Sequence, residues 1–369
     1  PELKGFWFGE IHSPAHKKGG EFYISSKKAL LDAPGEWFYD QQAQEMYFMP
    51  PTGVNPNKAK IEAKKRLYGI DFSNRAYINF EGIKLLACGI RTERVDSCNF
   101  NRINIAYPTH TSFIRGTSYK RPGIKLSGNN NALINSELSY SLDAGIEVKG
   151  DDNKVVNCYI HDFNYFGANG RGIAVVGDRN LISHNTLTRA GRSSMRLQGQ
   201  ENLIQYNDVS YMALKTHDTG CIHLGGQEGK NTIIRYNTLH DTGGDEHNTN
   251  AMYFDNFCQN FIVHGNIIWN VPTSLRLNRP ANNIMVFNNT FDGMVNNLYG
   301  PWDRKGDQWG TMLVNNIALK ETKKGKKTMD IRKGKGESED EYDKTSFADL
   351  LGMLGIDTDV DWTDPFGSD

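Results

Sequence analysis

The stretch GIAVVGDRNLISHNTLTRAGRSSMRLQGQENLIQYNDV, residues 172–209, holds one pattern written twice. A short strand-like run closing on glycine (GIAVVG, then SMRLQG) is followed by a run that opens on asparagine and carries a second asparagine near its end (NLISHNTL, then NLIQYNDV). Working outward, the second run recurs as NKVVNCYI, NTIIRYNTL, NFIVHGNII and NIMVFNNTF. Its late asparagines are Asn157, Asn185, Asn207, Asn237, Asn266 and Asn288, at intervals of 22 to 30 residues. The first run recurs as GIEVKG (145–150), CIHLGG (221–226), AMYFD (251–255) and SLRLN (274–278). A unit of this length, two or three short strands separated by Asn, Gly or Asp turns, cannot bury its own apolar face. Stacking coil on coil solves that problem. The expected fold is therefore all-β, a right-handed parallel beta-helix, in which the late asparagines form a ladder satisfying backbone groups of neighbouring coils. An antiparallel sandwich is disfavoured, because hairpins do not need two interleaved motifs at coil length.

Alternation along the first series turns it into a surface map. Ile146, Val148, Ile173, Val175, Met195, Leu197, Ile222, Leu224, Met252, Phe254, Leu275 and Leu277 are expected to point inward. One outward row then runs Glu147, Ala174, Arg196, His223, Tyr253, Arg276, and a parallel row runs Lys149, Val176, Gln198, Gly225, Asp255, Asn278. With rungs about 4.8 Å apart, this strip carries acid, base, imidazole, phenol and guanidinium groups over the length of a short oligosaccharide. The loops entering it add Lys215, His217 and Asp218 from KTHDTG (215–220), and His240, Asp241, Asp245, Glu246 and His247 from HDTGGDEHNTN (240–250). Glycosidic hydrolysis needs one protonated and one ionised carboxyl group. Asp218 and Asp255 are the expected pair, with Glu246 the rival for one role and Asp143 and Glu147 behind it. Glu147, Lys149, Arg171, Arg196, Gln198, Lys215, His217, His223, His240, His247, Tyr253, Arg276 and Asn278 are read as substrate-binding, and Tyr165, Phe166, Trp269 and Trp302 as edges of the groove. Asp241 reads as a turn residue before Gly243.

The remaining composition excludes more than it assigns. In 369 residues, 42 Lys+Arg balance 43 Asp+Glu, which leaves no footprint of a nucleic-acid binder, and no apolar run is long enough to span a bilayer. The five cysteines, Cys88, Cys98, Cys158, Cys221 and Cys258, include no CxxC pair and read as buried thiols. No HxH or HExxH pattern points to a metal, calcium at Asp245 and Glu246 lacks partners, and neither SGNNN nor GGQEGKN has phosphate-loop spacing. No cofactor is therefore expected, and the chain is read as a monomer. Residues 1–70 are expected to form a small N-terminal β module, 71–318 the solenoid, and 319–369 an extension. That extension has a solvated basic-then-acidic run (320–342) and a short helix at SFADLLGMLGI (346–356). No signal peptide is visible at Pro1, and the abrupt opening reads as a processed or trimmed start, which leaves the compartment open.

Two segments carry a family resemblance. HDTGCIHLGGQEGKNTIIRYNTLHDTG (217–243), followed by AMYFDNFCQNFIVHGNIIWN (251–270), resembles the signature of secreted bacterial right-handed beta-helix carbohydrate-active enzymes of the pectate-lyase-like superfamily. Within it, the likeness is to the glycoside hydrolase group with alpha-L-fucosidase-like and xylanase-like members. LDAPGEWFYD (31–40), MYFMPPTG (46–53) and YINFEGIKLL (77–86) resemble that group's N-terminal module and first coil. The resemblance, over roughly residues 25–295, implies a periplasmic or extracellular hydrolase acting on a plant or algal polysaccharide, with Asp218 and Asp255 matching the family's acidic centre. The chain departs from the pattern at Asn256, where a second acidic residue is common, and near His223, where an aromatic residue is usual. Arg171, Arg196, Arg276, Lys149 and Lys215 equally suit an anionic or sulfated substrate, or a polysaccharide lyase that neutralises a uronate before proton abstraction. A non-catalytic carbohydrate-binding solenoid is the alternative of a different class.

Overall fold

Each coil consists of three short strands joined at corners where a single residue turns the chain. Those residues adopt left-handed backbone conformations with φ near 55°, among them Asp152, Asn157, Arg179, Tyr206, Tyr211 and Tyr236, and the same conformation recurs at Asp162 and Arg189 inside third-sheet strands. A left-handed residue other than glycine costs about 1–2 kcal/mol, less for Asn and Asp. The cost is met by the rung of hydrogen bonds that each corner sets up with the next coil.

The computed structural model describes residues 27–62, 64, 66–109, 123–165, 167, 169–243, 249–278, 280–296 and 309–319. Among these, three parallel sheets of ten strands each wind a right-handed parallel beta-helix, whose first strand is Tyr68–Asp71 and whose last is Ile317–Ala318. The first sheet contains Ile146–Lys149, Ile173–Val176, Met195–Gln198, Thr219–Gly225, Thr249–Asp255 and Thr273–Leu277. The second contains Lys154–Val156, Leu181–Ser183, Leu203–Gln205 and Glu228–Arg235, and the third Glu137–Ser141, Tyr159–Phe163, Thr186–Ala190, Asp208–Ser210, Thr238–His240 and Ile267–Trp269. Ahead of the solenoid lies a two-stranded antiparallel hairpin, Trp37–Asp40 with Glu45–Phe48. Its turn is closed by Asp40 Oδ1, which accepts the backbone N–H groups of Gln42 and Ala43.

The twelve residues expected to point inward from the first sheet are all buried, and they share the core with Phe100, Phe163, Phe261 and Phe291. The asparagine ladder forms as well, with a one-residue correction at two coils. Its members are Asn185, Asn207, Asn237, Asn266, Asn289 and Asn316, each Oδ1 accepting the backbone N–H of the preceding member; Cys158 N–H donates to Asn185. Asn157 and Asn288 instead occupy the left-handed corner one residue earlier, with their side chains outside the ladder. A second ladder, Asn131, Asn153, Asn180 and Asn202, arises from the asparagine that opens each segment. Each rung satisfies a backbone amide that would otherwise be stranded in the core, where an unpaired group costs about 1–3 kcal/mol.

Four of the five cysteines are buried and Cys88 is half-buried, all as free thiols. Burial pushes Cys158, Cys221 and Cys258 up to about 12, so these thiols stay protonated and inert. The run 320–342, the segment 346–356, Phe166, Trp302, Asp245, Glu246 and His247 lie outside the described residues.

Candidate active site

Strand register on the first sheet aligns the outward residues. Glu147 pairs with Ala174, and Ala174 with Arg196. With Met195 opposite Ile222, Arg196 falls beside His223, and the row continues through Tyr253 to Arg276. The His223 and Tyr253 rings lie face to face, with centroids 4.5 Å apart and planes 6° from parallel, and the Arg276 guanidinium covers the tyrosine at 5.0 Å. Imidazole, phenol and guanidinium are thus stacked over three rungs.

Asn278 ties this stack to the acids. Its Oδ1 accepts from Arg276 Nε at 3.0 Å, which leaves Nδ2 to donate to both Tyr253 Oη and Asp255 Oδ1, each at 2.8 Å. Tyr253 Oη, already accepting from Asn278, directs its own proton toward Asp218 Oδ1 at 3.4 Å. Asp218 and Asp255 are therefore linked through one hydroxyl and one amide. Contacts of this length keep them no farther apart than the ~6.5–9.5 Å of an inverting pair.

Burial acts to raise the Asp255 carboxyl, but His223, Asn278 and the backbone N–H of Asn256 overcome it and hold the group at about 2. Its Oδ2 lies 3.8 Å from His223 Nε2, longer than a direct hydrogen bond. His223 itself is pushed down by burial, assisted by the Arg171 guanidinium and opposed by Asp255 and Asp218. The centre at neutral pH is thus an ionised Asp255 beside a neutral imidazole. Tyr253 is pushed up, chiefly by burial, and remains a proton donor.

Gly225, opposite Asp255 on the preceding rung, leaves a recess in the floor; a Cβ there would meet only the Asp255 side chain, at 3.6 Å. By the register fixed at Met195 and Ile222, Gln198 falls on the rung before Gly225 and Arg196 on the rung before His223. Neither makes a hydrogen bond or ion pair to another side chain among the described residues, so both are available to a ligand. Arg192, which sequence reasoning passed over, is buried and donates to the backbone carbonyl of Asp218 at 3.3 Å, fixing the loop that presents this acid. Its only sequence signal was its place in GRSS, before a first-sheet strand, like Arg171 in GRG.

Other expected residues lie elsewhere. His240 is not in the strip: it ends a strand of the third sheet, stacked on Trp269 with centroids 4.3 Å apart, so Trp269 does not edge the groove either. Lys149 and Lys215 are exposed, while Arg171 is buried, with guanidinium bonds to the Asn169 and Gly170 carbonyls. His217 is half-buried one residue before Asp218. Asp143, in the loop before Ile146–Lys149, is buried with both carboxyl oxygens lacking a hydrogen-bond partner among the described residues. Burial pushes it up to about 7 against the pull of Arg171, and a Cβ at Gly170 would collide with it. Among the described residues, no group of three His, Cys, Asp or Glu side chains could hold a metal ion, and no helix is long and apolar enough to cross a membrane.

The family described as right handed beta helix region matches residues 88–291. One similar solved structure is described as a glycoside hydrolase, at 13% identity and TM-score 0.46, covering 80% of this chain and 58% of that one. A second is the GH136 lacto-N-biosidase from Eubacterium ramulus, at 12% identity and TM-score 0.38, covering 65% of this chain and 51% of that one. The chain thus spans little more than half the length of these structures. No curated protein matches the sequence.

Proposed function

This chain belongs to the right-handed beta-helix family, and we propose that it is a glycoside hydrolase acting on a polysaccharide laid along the first sheet. The observation carrying this reading is the linked pair of carboxylates, Asp255 held ionised and Asp218 reached through Tyr253. In this reading Asp255 attacks the anomeric carbon or activates water, and Asp218 protonates the leaving oxygen, with Glu246 its rival. Arg276 and Asn278 hold the stack, Gly225 gives the sugar ring room, and Arg196 and Gln198 bind the neighbouring unit. The substrate is a plant or algal glycan bearing carboxylate or sulfate groups, and the enzyme works outside the cytoplasm.

One observation favours a second reading. Arg196, half-buried one rung from His223 and without a side-chain partner among the described residues, could neutralise a uronate for β-elimination. Digestion of neutral, uronate-containing and sulfated polysaccharides, followed by reducing ends and by absorbance at 235 nm, separates the two. Reducing ends without absorbance, abolished by Asp218→Asn and by Asp255→Asn, support hydrolysis. Absorbance that rises with cleavage and is lost in Arg196→Gln supports elimination, and no product from any polymer leaves a binding solenoid.

A further inference from the structure

The third sheet repeats one arrangement at two places. His161 has Nδ1 2.7 Å from Asp162 Oδ2 and Nε2 3.1 Å from Glu137 Oε1, and its ring stacks on Tyr159 with centroids 4.1 Å apart. His240 has Nδ1 2.7 Å from Asp241 Oδ2 and Nε2 3.2 Å from Asp208 Oδ2, and its ring stacks on Trp269. In both, the neighbouring acid follows the histidine in a left-handed backbone conformation and the other acid comes from an earlier rung. Register runs from His161 through Thr188 and Ser210 to His240, which places the two stations three rungs, about 14 Å, apart. On the two intervening rungs lie Thr186, Thr188, Asp208 and Ser210, with Arg189, whose guanidinium meets Asp162, His161 and the Tyr159 hydroxyl.

We propose that this trough is a second, non-catalytic binding track for an uncharged stretch of polysaccharide. A pyranose offers an apolar C–H face and a rim of hydroxyl donors. Tyr159 and Trp269 remain 39% and 38% exposed and present aromatic surface at either end, while the Glu137 and Asp208 side chains, 40% and 46% exposed, accept hydroxyls. Packing alone would stack the rings without an outward acid beside each histidine at both stations. Four carboxylates stand here against Arg189, itself held by Asp162, so the face repels anionic chains, unlike the arginine-bearing first sheet. The track does not depend on the chemistry proposed for the first sheet.

The test is native electrophoresis through gels containing xylan, galactomannan or polygalacturonate, with the full chain carrying Asp255→Asn to prevent cleavage. A neutral polymer is expected to retard this protein, and any retention by polygalacturonate, which the first sheet would carry, should not respond to the third-sheet variants. Tyr159→Ala with Trp269→Ala is expected to weaken retention at least tenfold. Glu137→Gln with Asp208→Asn, which keeps both rings, should weaken it by a similar factor. Absence of retardation by either neutral polymer, or unaltered retention in both double variants at unchanged melting temperature, overturns the track. Absence of cleavage by the unmodified enzyme bears only on the first sheet.

Discussion

The Tyr253 hydroxyl stands 3.4 Å from Asp218 Oδ1 and accepts from the same Asn278 nitrogen that holds Asp255. It touches one half of the proposed acid–base pair directly and reaches the other through Asn278. Tyr253→Phe keeps the ring stacked between His223 and Arg276 and removes only this link. The expected outcome is a fall in kcat of about 10-fold to 100-fold, with KM and melting temperature little changed. Equal kinetics for Tyr253→Phe and the unmodified enzyme would falsify a linking role.

Gly225 provides a second, sterically defined test. Valine suits a strand better than glycine, and the site has room for a Cβ without backbone strain. Gly225→Val should therefore fold with undiminished stability while filling the recess beside Asp255. We expect kcat/KM on any cleaved polymer to drop at least about tenfold, chiefly through KM. A variant that retains full kcat/KM would place the sugar elsewhere.

Asp143 predicts a pH dependence of stability. Its carboxyl titrates near 7 in the folded chain and near 3.9 in an unfolded one. Between these values the folded state holds a proton that the unfolded state has released, so its contribution to stability falls as pH rises from about 4 to 7, by up to about 4 kcal/mol. Asp143→Asn should remove this slope and raise the melting temperature at pH 8 more than at pH 4. Parallel melting curves at both pH values would show that the carboxyl is not forced to ionise in a buried site.

Within the longer ladder, Asn207 makes four hydrogen bonds, accepting two from Asn185 and donating to Ile182 O and Asn237 Oδ1. Asn207→Ala strands the Asn185 backbone amide in the core. Chemical denaturation should register a loss of about 2–4 kcal/mol, whereas Asn157→Ala, at an exposed corner, should lose less than about 1 kcal/mol. Similar losses at the two positions would mean that the corner, not the ladder, carries the stability.

These contrasts also mark how far the sequence could be read. The inward and outward rows of the first sheet were legible because a period of two fixes the face of each run from Ile146 to Leu277, and a closing glycine marks the end of four of the six. The ladder slipped at Asn157 and Asn288 because a left-handed corner favours asparagine for its own reasons, and a corner and a rung sit side by side in the chain. His240 and Trp269 were misplaced because strand pattern does not say to which of three sheets a run belongs. The HDTG of residues 240–243 resembles the HDTG of 217–220, yet its histidine closes a third-sheet strand. The burial of Asp143 and the role of Arg192 depend on how loops fold over the coil ends, which no periodicity encodes.

The asparagine ladder has a direction. Every member's side-chain carbonyl faces the preceding coil, from Asn185 to Asn316, and the shorter ladder from Asn153 to Asn202 points the same way. Sheets have almost no net dipole, but two rows of aligned amides polarise one another as they lengthen. The solenoid therefore has an electrical polarity along its axis, with the negative end toward its first coil. An interior asparagine is reinforced from both sides and a terminal one from only one, so the column holds most firmly at its middle and loosens toward its ends.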